Sequence, residues 1–294
     1  MRKSLAGKLK KWAAAAVREI DLLAHRLKRT DDGWPDFLVI GAQKCGTTTL
    51  YRLLGSHPAV APARRKEVLY FSHYYQRGPK WYRNHFPRPA GVRSGEATPY
   101  YLFHPLAPGR LAADLPQCRL IVLLRDPAER ALSHYQHSIR NGHEKLPLAA
   151  ALEAEAGRLA GEEETLSRNP AYRSAAHQRF SYFSRGCYLE QLQRFSHFFD
   201  AGRILVLNSE SFFADPQAGF DRVCSFLDLP CHHCGPVVPA NRGNYRVAPA
   251  QRLALQDLRL RYAPLNEALF AFLGERFNWC ETEPDESGEG EIER

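Results

Sequence analysis

"DFLVIGAQKCGTT", residues 36–48, passes from an apolar run through two glycines into a string of threonines. Phe37–Ile40 is apolar on both faces, the pattern of a strand buried inside a parallel sheet. A turn follows, and a helix opens at about Thr47. The first N–H groups of such a helix face the turn and make it an anion site. Gly41 and Gly46 let the main chain approach an anion closely, Thr47 and Thr48 offer hydroxyls, and Lys44 projects a cation from within the loop. The spacing nearly follows G-x-x-x-x-G-K-[ST], in which the lysine reaches outer phosphates and the hydroxyl holds magnesium. Here the lysine stands three residues early and Thr47 takes its place. No strong acidic partner for magnesium presents itself, since Asp126 is set between an arginine and a proline. A phosphate or sulfate ligand that needs no metal fits this loop better than ATP.

Outward from this stretch, short β-rich runs alternate with helical spacing. "DFLVIG" (36–41), "VRSGEA" (92–97), "CRLIVLL" (118–124) and "RILVLN" (203–208) read as strands. Between and after them, "TTTLYRLLGS", "PAERALSHYQHSIR", "CYLEQLQRFSHFF" and "PQAGFDRVCSFL" read as helices. Residues 248–274 read as a long helical region interrupted near Pro264. This alternation predicts an α/β fold, a P-loop-like central parallel sheet flanked by helices. Leu146 to Leu166 reads as a helical insertion, and no internal repeat is found.

A second stretch, "RLIVLLRDPAERALSHY" (119–135), repeats the strand-to-helix logic. The strand ends at Arg125, Pro127 suits the first helical turn, and Ser133 falls inside the helix. Arg125 therefore sits at the carboxyl end of a strand, where open α/β sheets bind ligands, poised for bidentate contact with a phosphate. The competing reading pairs Arg125 with Asp126 or Glu129 in a surface salt bridge.

Composition bounds the rest. The 294 residues, 44% hydrophobic and 24% charged, suit one large domain with appendages. Residues 1–30 hold nine Lys/Arg against two acids, and residues 281–294 hold seven acids against one Arg. Removing that +7 head and −6 tail from the net +8 leaves +7 on residues 31–280, a body that favours an anionic ligand. The expected organisation is a basic helical extension (1–34), one large folded domain (35–280) and an acidic disordered tail (281–294). The basic head has too short an apolar stretch for a secretory leader. It suits a basic amphipathic helix, either packed on its own domain or lying on an anionic membrane. No run of about 18 apolar residues exists to form a spanning helix. The expected location is cytoplasmic, with peripheral contact at the inner membrane face through residues 1–30 as the added option. Seven cysteines, an odd number in a long chain, read as mostly reduced.

Together the two anion stretches resemble the signature of sulfotransferases that use 3′-phosphoadenosine-5′-phosphosulfate. "HPAVAPARRKEVLYF", "GEATPYYLFHP", "NRGNYRVAP" and "ERFNW" extend the likeness across about residues 36–279, closest to the carbohydrate branch that includes heparan sulfate N- and O-sulfotransferases. The resemblance implies that Lys44, Cys45, Gly46, Thr47, Thr48 and Thr49 hold the 5′-phosphosulfate. It implies that Arg125 and Ser133 hold the 3′-phosphate, and that Arg242, Gly243, Asn244, Tyr245 and Arg246 form a third nucleotide contact. Lys44 would neutralise the leaving group and Glu67, in "KEVLYF", would take the acceptor's proton, with no metal required. Burial beside Tyr70 and Phe71 would raise the Glu67 pKa, and Lys66 would oppose it. A salt bridge from Glu67 to Lys66 or Arg65 is the plain alternative.

The sequence departs from the heparan sulfate relatives twice. Leu69 stands where a histidine commonly follows the carboxylate, leaving His73 or His104 as substitutes, and Ala97 replaces a second lysine. The acceptor implied is a glycan, a glycolipid or a small hydroxylated molecule, and no nucleic acid. A P-loop kinase or NTPase would need a lysine just after Gly46. A basic nucleic-acid-binding protein would explain the charge but not two linked anion sites. "CHHC" (231–234) reads as a plain loop rather than a zinc site, with a Cys231–Cys234 disulfide as the alternative. "YFSHYY" and "WYRNHF" read as core and cleft wall.

Overall fold

The computed structural model describes residues 33–87, 91–237 and 248–279. The basic head, the acidic tail and the Arg242–Arg246 loop lie outside the described residues. Five strands form one sheet: β1 (Phe37–Gly41), β2 (Val60–Pro62), β3 (Arg93–Ala97), β4 (Arg119–Leu124) and β5 (Ile204–Asn208). Their order is β2-β3-β1-β4-β5 and every pairing is parallel. The four strands expected from sequence are present. The three-residue β2 at the sheet edge was not foreseen, because Val60–Pro62 is too short for an alternation to show and ends in a proline, which only an edge tolerates.

Helices cover both faces, as parallel sheets require. In chain order they are α1 (Thr47–Ser56), α2 (Gly78–Arg83), α3 (Ala107–Asp114), α4 (Pro127–Arg140), α5 (Leu148–Glu153) and α6 (Glu155–Leu159). There follow α7 (Glu162–Arg168), α8 (Ala175–Arg179), α9 (Tyr188–Ser196), α10 (Ser209–Ala214), α11 (Pro216–Phe226) and α12 (Pro249–Leu273). The expected insertion at 146–166 is thus three short helices. Its last break falls at Gly161, which takes a left-handed φ of 73° that a side chain would strain.

The expected interruption near Pro264 does not occur: α12 runs through it for 25 residues. Proline removes the hydrogen bond to the Leu260 carbonyl. Leu260 is 76% exposed, so water can satisfy that carbonyl, and the helix continues. Buried Leu258, Tyr262, Leu269 and Phe270 hold it to the body on either side of the proline.

The core explains why β1 and β4 are central. Phe37–Ile40 and Leu120–Leu124 are fully buried, and Leu50, Leu53 and Leu54 turn one face of α1 onto the sheet. The chain steps from β1 to β2 and β3 on one side, then crosses to β4 and β5 on the other. The switch point therefore lies between the carboxyl ends of β1 and β4, where the loops diverge and leave a crevice. Among the described residues no helix is long and apolar enough to cross a membrane.

Candidate active site

Both anion stretches meet at that switch point. Ala42 N–H donates to Leu123 O at 2.7 Å, so the loop after β1 is bonded to the strand that delivers Arg125. Gly46 caps α1 with φ 89°, and a Cβ there would sit 2.5 Å from the Phe213 ring. Only glycine meets both conditions. The amides of Thr47 and Thr48 begin α1 and have no intrahelical acceptor, which leaves them to an anion. Lys44 rises from the loop at φ 74°.

The charge around Lys44 is one-sided. Burial, then the guanidiniums of Arg140, Arg125 and Arg130, push its ammonium from 10.5 down to about 8. Arg130 is fully buried, its Nη2 donating to Tyr182 O, and no carboxylate pairs with it among the described residues. Arg185 is buried behind the same loop, where it donates to Gln43 Oε1 and to the carbonyls of His177 and Gln178 at 2.9 and 3.2 Å. A crevice that gathers more cations than carboxylates fits an anionic group.

Cys45, expected among the loop residues that hold the anion, turns its side chain inward. Its Sγ lies 3.8 Å from Tyr188 Oη, and burial raises the thiol to about 11, so only its main chain serves the loop. Tyr188 Oη also donates to Arg125 O at 2.9 Å, and Ser209 Oγ donates to Cys45 O at 3.0 Å. One tyrosine on α9 and one serine on α10 thereby tie the two stretches in register.

Asp126 caps α4, accepting from Ala128 N and Glu129 N at 2.8 and 2.9 Å, which uses the carboxylate structurally. Glu210 accepts from Asp126 N and from Trp279 Nε1, both at 3.1 Å, so the closing "ERFNW" braces this turn from below. Arg125 reaches Glu129 at 3.4 Å, the salt bridge that the competing reading names, yet its side chain stays 31% exposed at the crevice. Ser133 follows Glu129 by one helical turn, half-buried on the same face of α4.

Glu67 stands across the crevice at φ 58°. The expected burial beside Tyr70 and Phe71 is not found: the Glu67 side chain is 49% exposed and takes an ion pair from Lys66 Nζ at 3.1 Å. The two rings turn instead into the core, with Tyr70 stacked on Tyr82 at 4.4 Å. The buried carboxylate of this region is Glu96, which accepts from Tyr82 Oη, Tyr101 Oη, Thr98 Oγ1 and Val68 N at 2.6–3.1 Å. It pins the backbone next to Glu67, as does the bond from Glu67 N to Ala97 O at 3.1 Å.

A model of the sulfotransferase domain matches residues 34–239 of this sequence. The chain belongs to the sulfotransferase family. It is 27% identical to the membrane-associated sulfotransferase kil1 of Dictyostelium discoideum, over 83% of this chain and 66% of that protein. It is 33% identical to the human bifunctional heparan sulfate N-deacetylase/N-sulfotransferase 3, over 70% of this chain and 24% of that protein. The sulfotransferase of Alicyclobacillus acidocaldarius superposes with a TM-score of 0.64 at 26% identity, covering 83% of this chain and 98% of that one. The chain thus spans about two thirds of the first relative and about a quarter of the second.

His73 and His104, the two substitutes named for the histidine that Leu69 replaces, pack around Tyr100. His73 and His104 lie in a separate cluster with Tyr100 and His177, where burial drives them to about 4 and about 2. Burial and the guanidiniums of Arg110, Arg173 and Arg194 favour the neutral rings. His137, on α4 one turn past Ser133, feels Lys44 and Arg140 on one side and Glu67 on the other, and desolvation with those cations lowers its pKa. The spacing 129, 133, 137, 140 along one helix face was the signal available in the sequence.

The "CHHC" loop is built by Gln217, whose Oε1 accepts from Cys234 N at 3.0 Å and whose Nε2 donates to His232 O at 3.1 Å. Cys231 and Cys234 are unpaired. No group of three or more His, Cys, Asp or Glu is placed to hold a metal among the described residues.

Proposed function

We propose that this sulfotransferase moves a sulfuryl group from 3′-phosphoadenosine-5′-phosphosulfate to a hydroxyl or amine of a carbohydrate or glycolipid acceptor. The observation that carries the donor assignment is the cation cluster of Lys44 with Arg125, Arg130 and Arg140 at the switch point. The loop from Lys44 to Thr49 is assigned to the 5′-phosphosulfate, Arg125 and Ser133 to the 3′-phosphate, and Arg242 to Arg246 to a further nucleotide contact. The resemblance to heparan sulfate enzymes supports a sugar acceptor.

In the reaction the acceptor oxygen or nitrogen forms a bond to sulfur while the bond from sulfur to the bridging phosphate oxygen breaks. Glu67 takes the acceptor's proton, and Lys44 stabilises the negative charge that arrives on the 5′-phosphate. The products are sulfated acceptor and adenosine 3′,5′-bisphosphate. Glu67 is half exposed and paired with Lys66, so an acceptor reaches it by displacing a surface lysine rather than by entering a closed cavity. Thermal shift tests the donor half: adenosine 3′,5′-bisphosphate should raise the melting temperature and ATP with magnesium should do so poorly. A larger shift with ATP and magnesium overturns the assignment. Labelled phosphosulfate donor with an acceptor panel tests the other half.

A further inference from the structure

A carboxylate is poorly placed beside an arginine that must receive a phosphate, because it neutralises the cation and repels the anion. Glu129 is in that position, its Oε2 3.4 Å from Arg125 Nη2. Its other oxygen accepts from Arg259 Nη2 at 3.0 Å. Arg259 arrives from α12, 130 residues later in the chain. The three side chains are each about a third exposed, so they border the crevice rather than the core. Ser133 lies one turn along α4 on the same side. The closer of the two bonds to Glu129 belongs to Arg259, and the trio carries one net positive charge instead of none.

We propose that Arg259 is a positioning residue for the nucleotide's 3′-phosphate: by taking up Glu129 from α12 it leaves Arg125 able to bind that phosphate. The inference rests on the donor assignment above and adds to it a residue outside either signature stretch. It also gives α12 a role at the donor site besides packing.

The experiment is titration calorimetry of the full chain with adenosine 3′,5′-bisphosphate and with adenosine 5′-monophosphate, which lacks the 3′-phosphate. Arg259→Ala should weaken the bisphosphate about tenfold, as loss of a charge-assisted contact in a partly solvated site does, and leave the monophosphate within about twofold. Arg259→Lys should fall between, since it keeps the charge but not the planar fork. Glu129→Gln added to Arg259→Ala should restore bisphosphate affinity to within about threefold of wild type, because the carboxylate that Arg259 restrains is gone. Melting temperatures of the free variants report whether each is folded. Equal loss of both nucleotides in a folded Arg259→Ala protein overturns the inference, as does failure of Glu129→Gln to restore binding. A wild-type protein that binds neither nucleotide overturns the donor assignment, and this inference falls with it.

Discussion

The two walls of the crevice are built differently. On the wall proposed to take the donor, the backbone around Lys44 and Arg125 is held by main-chain bonds and by Tyr188 and Ser209. On the wall proposed to meet the acceptor, Glu67 is half exposed on a loop, and its only side-chain partner among the described residues is the neighbouring Lys66. The rigid part there is one residue deeper, at Glu96. The difference teaches where each kind of specificity resides. A donor of fixed shape and high charge rewards preorganised cations.

Glu67→Gln probes the acceptor wall most severely. It keeps size and hydrogen-bonding reach but deletes basicity, and loss of a general base costs about a hundredfold to ten-thousandfold in turnover. Donor binding and melting temperature should stay near wild type, since an exposed ion pair contributes about 1 kcal/mol or less. Near-normal turnover would move the search for the base to His137, because His73 and His104 are buried elsewhere.

On the donor wall, Arg125→Ala should weaken adenosine 3′,5′-bisphosphate more than Ser133→Ala does, about tenfold or more against a few-fold, because charge-assisted bonds are roughly twice as strong as neutral ones. Calorimetry decides it, and equal affinities in wild type and both variants would break the assignment.

The pH dependence sharpens the contrast further. The Lys44 ammonium titrates at about 8 in the free protein against 10.5 ordinarily. A bound anion favours the charged form, so donor affinity should hold below pH 8 and fall above it, by up to about tenfold per pH unit. For folding the sign is opposite. Between pH 8 and 10.5 the unfolded chain keeps a proton on this lysine that the ligand-free native state has lost, so this group's contribution to stability rises with pH. Lys44→Met should remove both slopes.

The smallest expected effect on donor binding comes from a structural change. Tyr82→Phe keeps the ring stacked on Tyr70 but removes the 2.7 Å donor to the buried Glu96. Leaving a buried carboxylate short of one partner costs about 1–3 kcal/mol, measured by denaturant unfolding. Donor affinity should not change, and a parallel loss of it would show that the two walls are coupled.

What the sequence by itself determined was local in character. The strand, turn and helix around Gly41–Thr49 and the strand ending at Arg125 were legible because burial on both faces, glycine and capping residues leave their marks within a dozen positions. The sheet class and the family signature followed from the order of those marks. The tertiary structure alone decided which neighbours each side chain keeps. Cys45 points inward because Tyr188 waits there, from 143 positions away. Glu67 is half exposed while Glu96 takes the buried position nearby, and α12 passes through Pro264 where Leu260, which loses its helical bond, is exposed. Propensity and periodicity report on a residue's own backbone. Desolvation and charge pairing depend on atoms brought together from distant parts of the chain, and no local pattern records them.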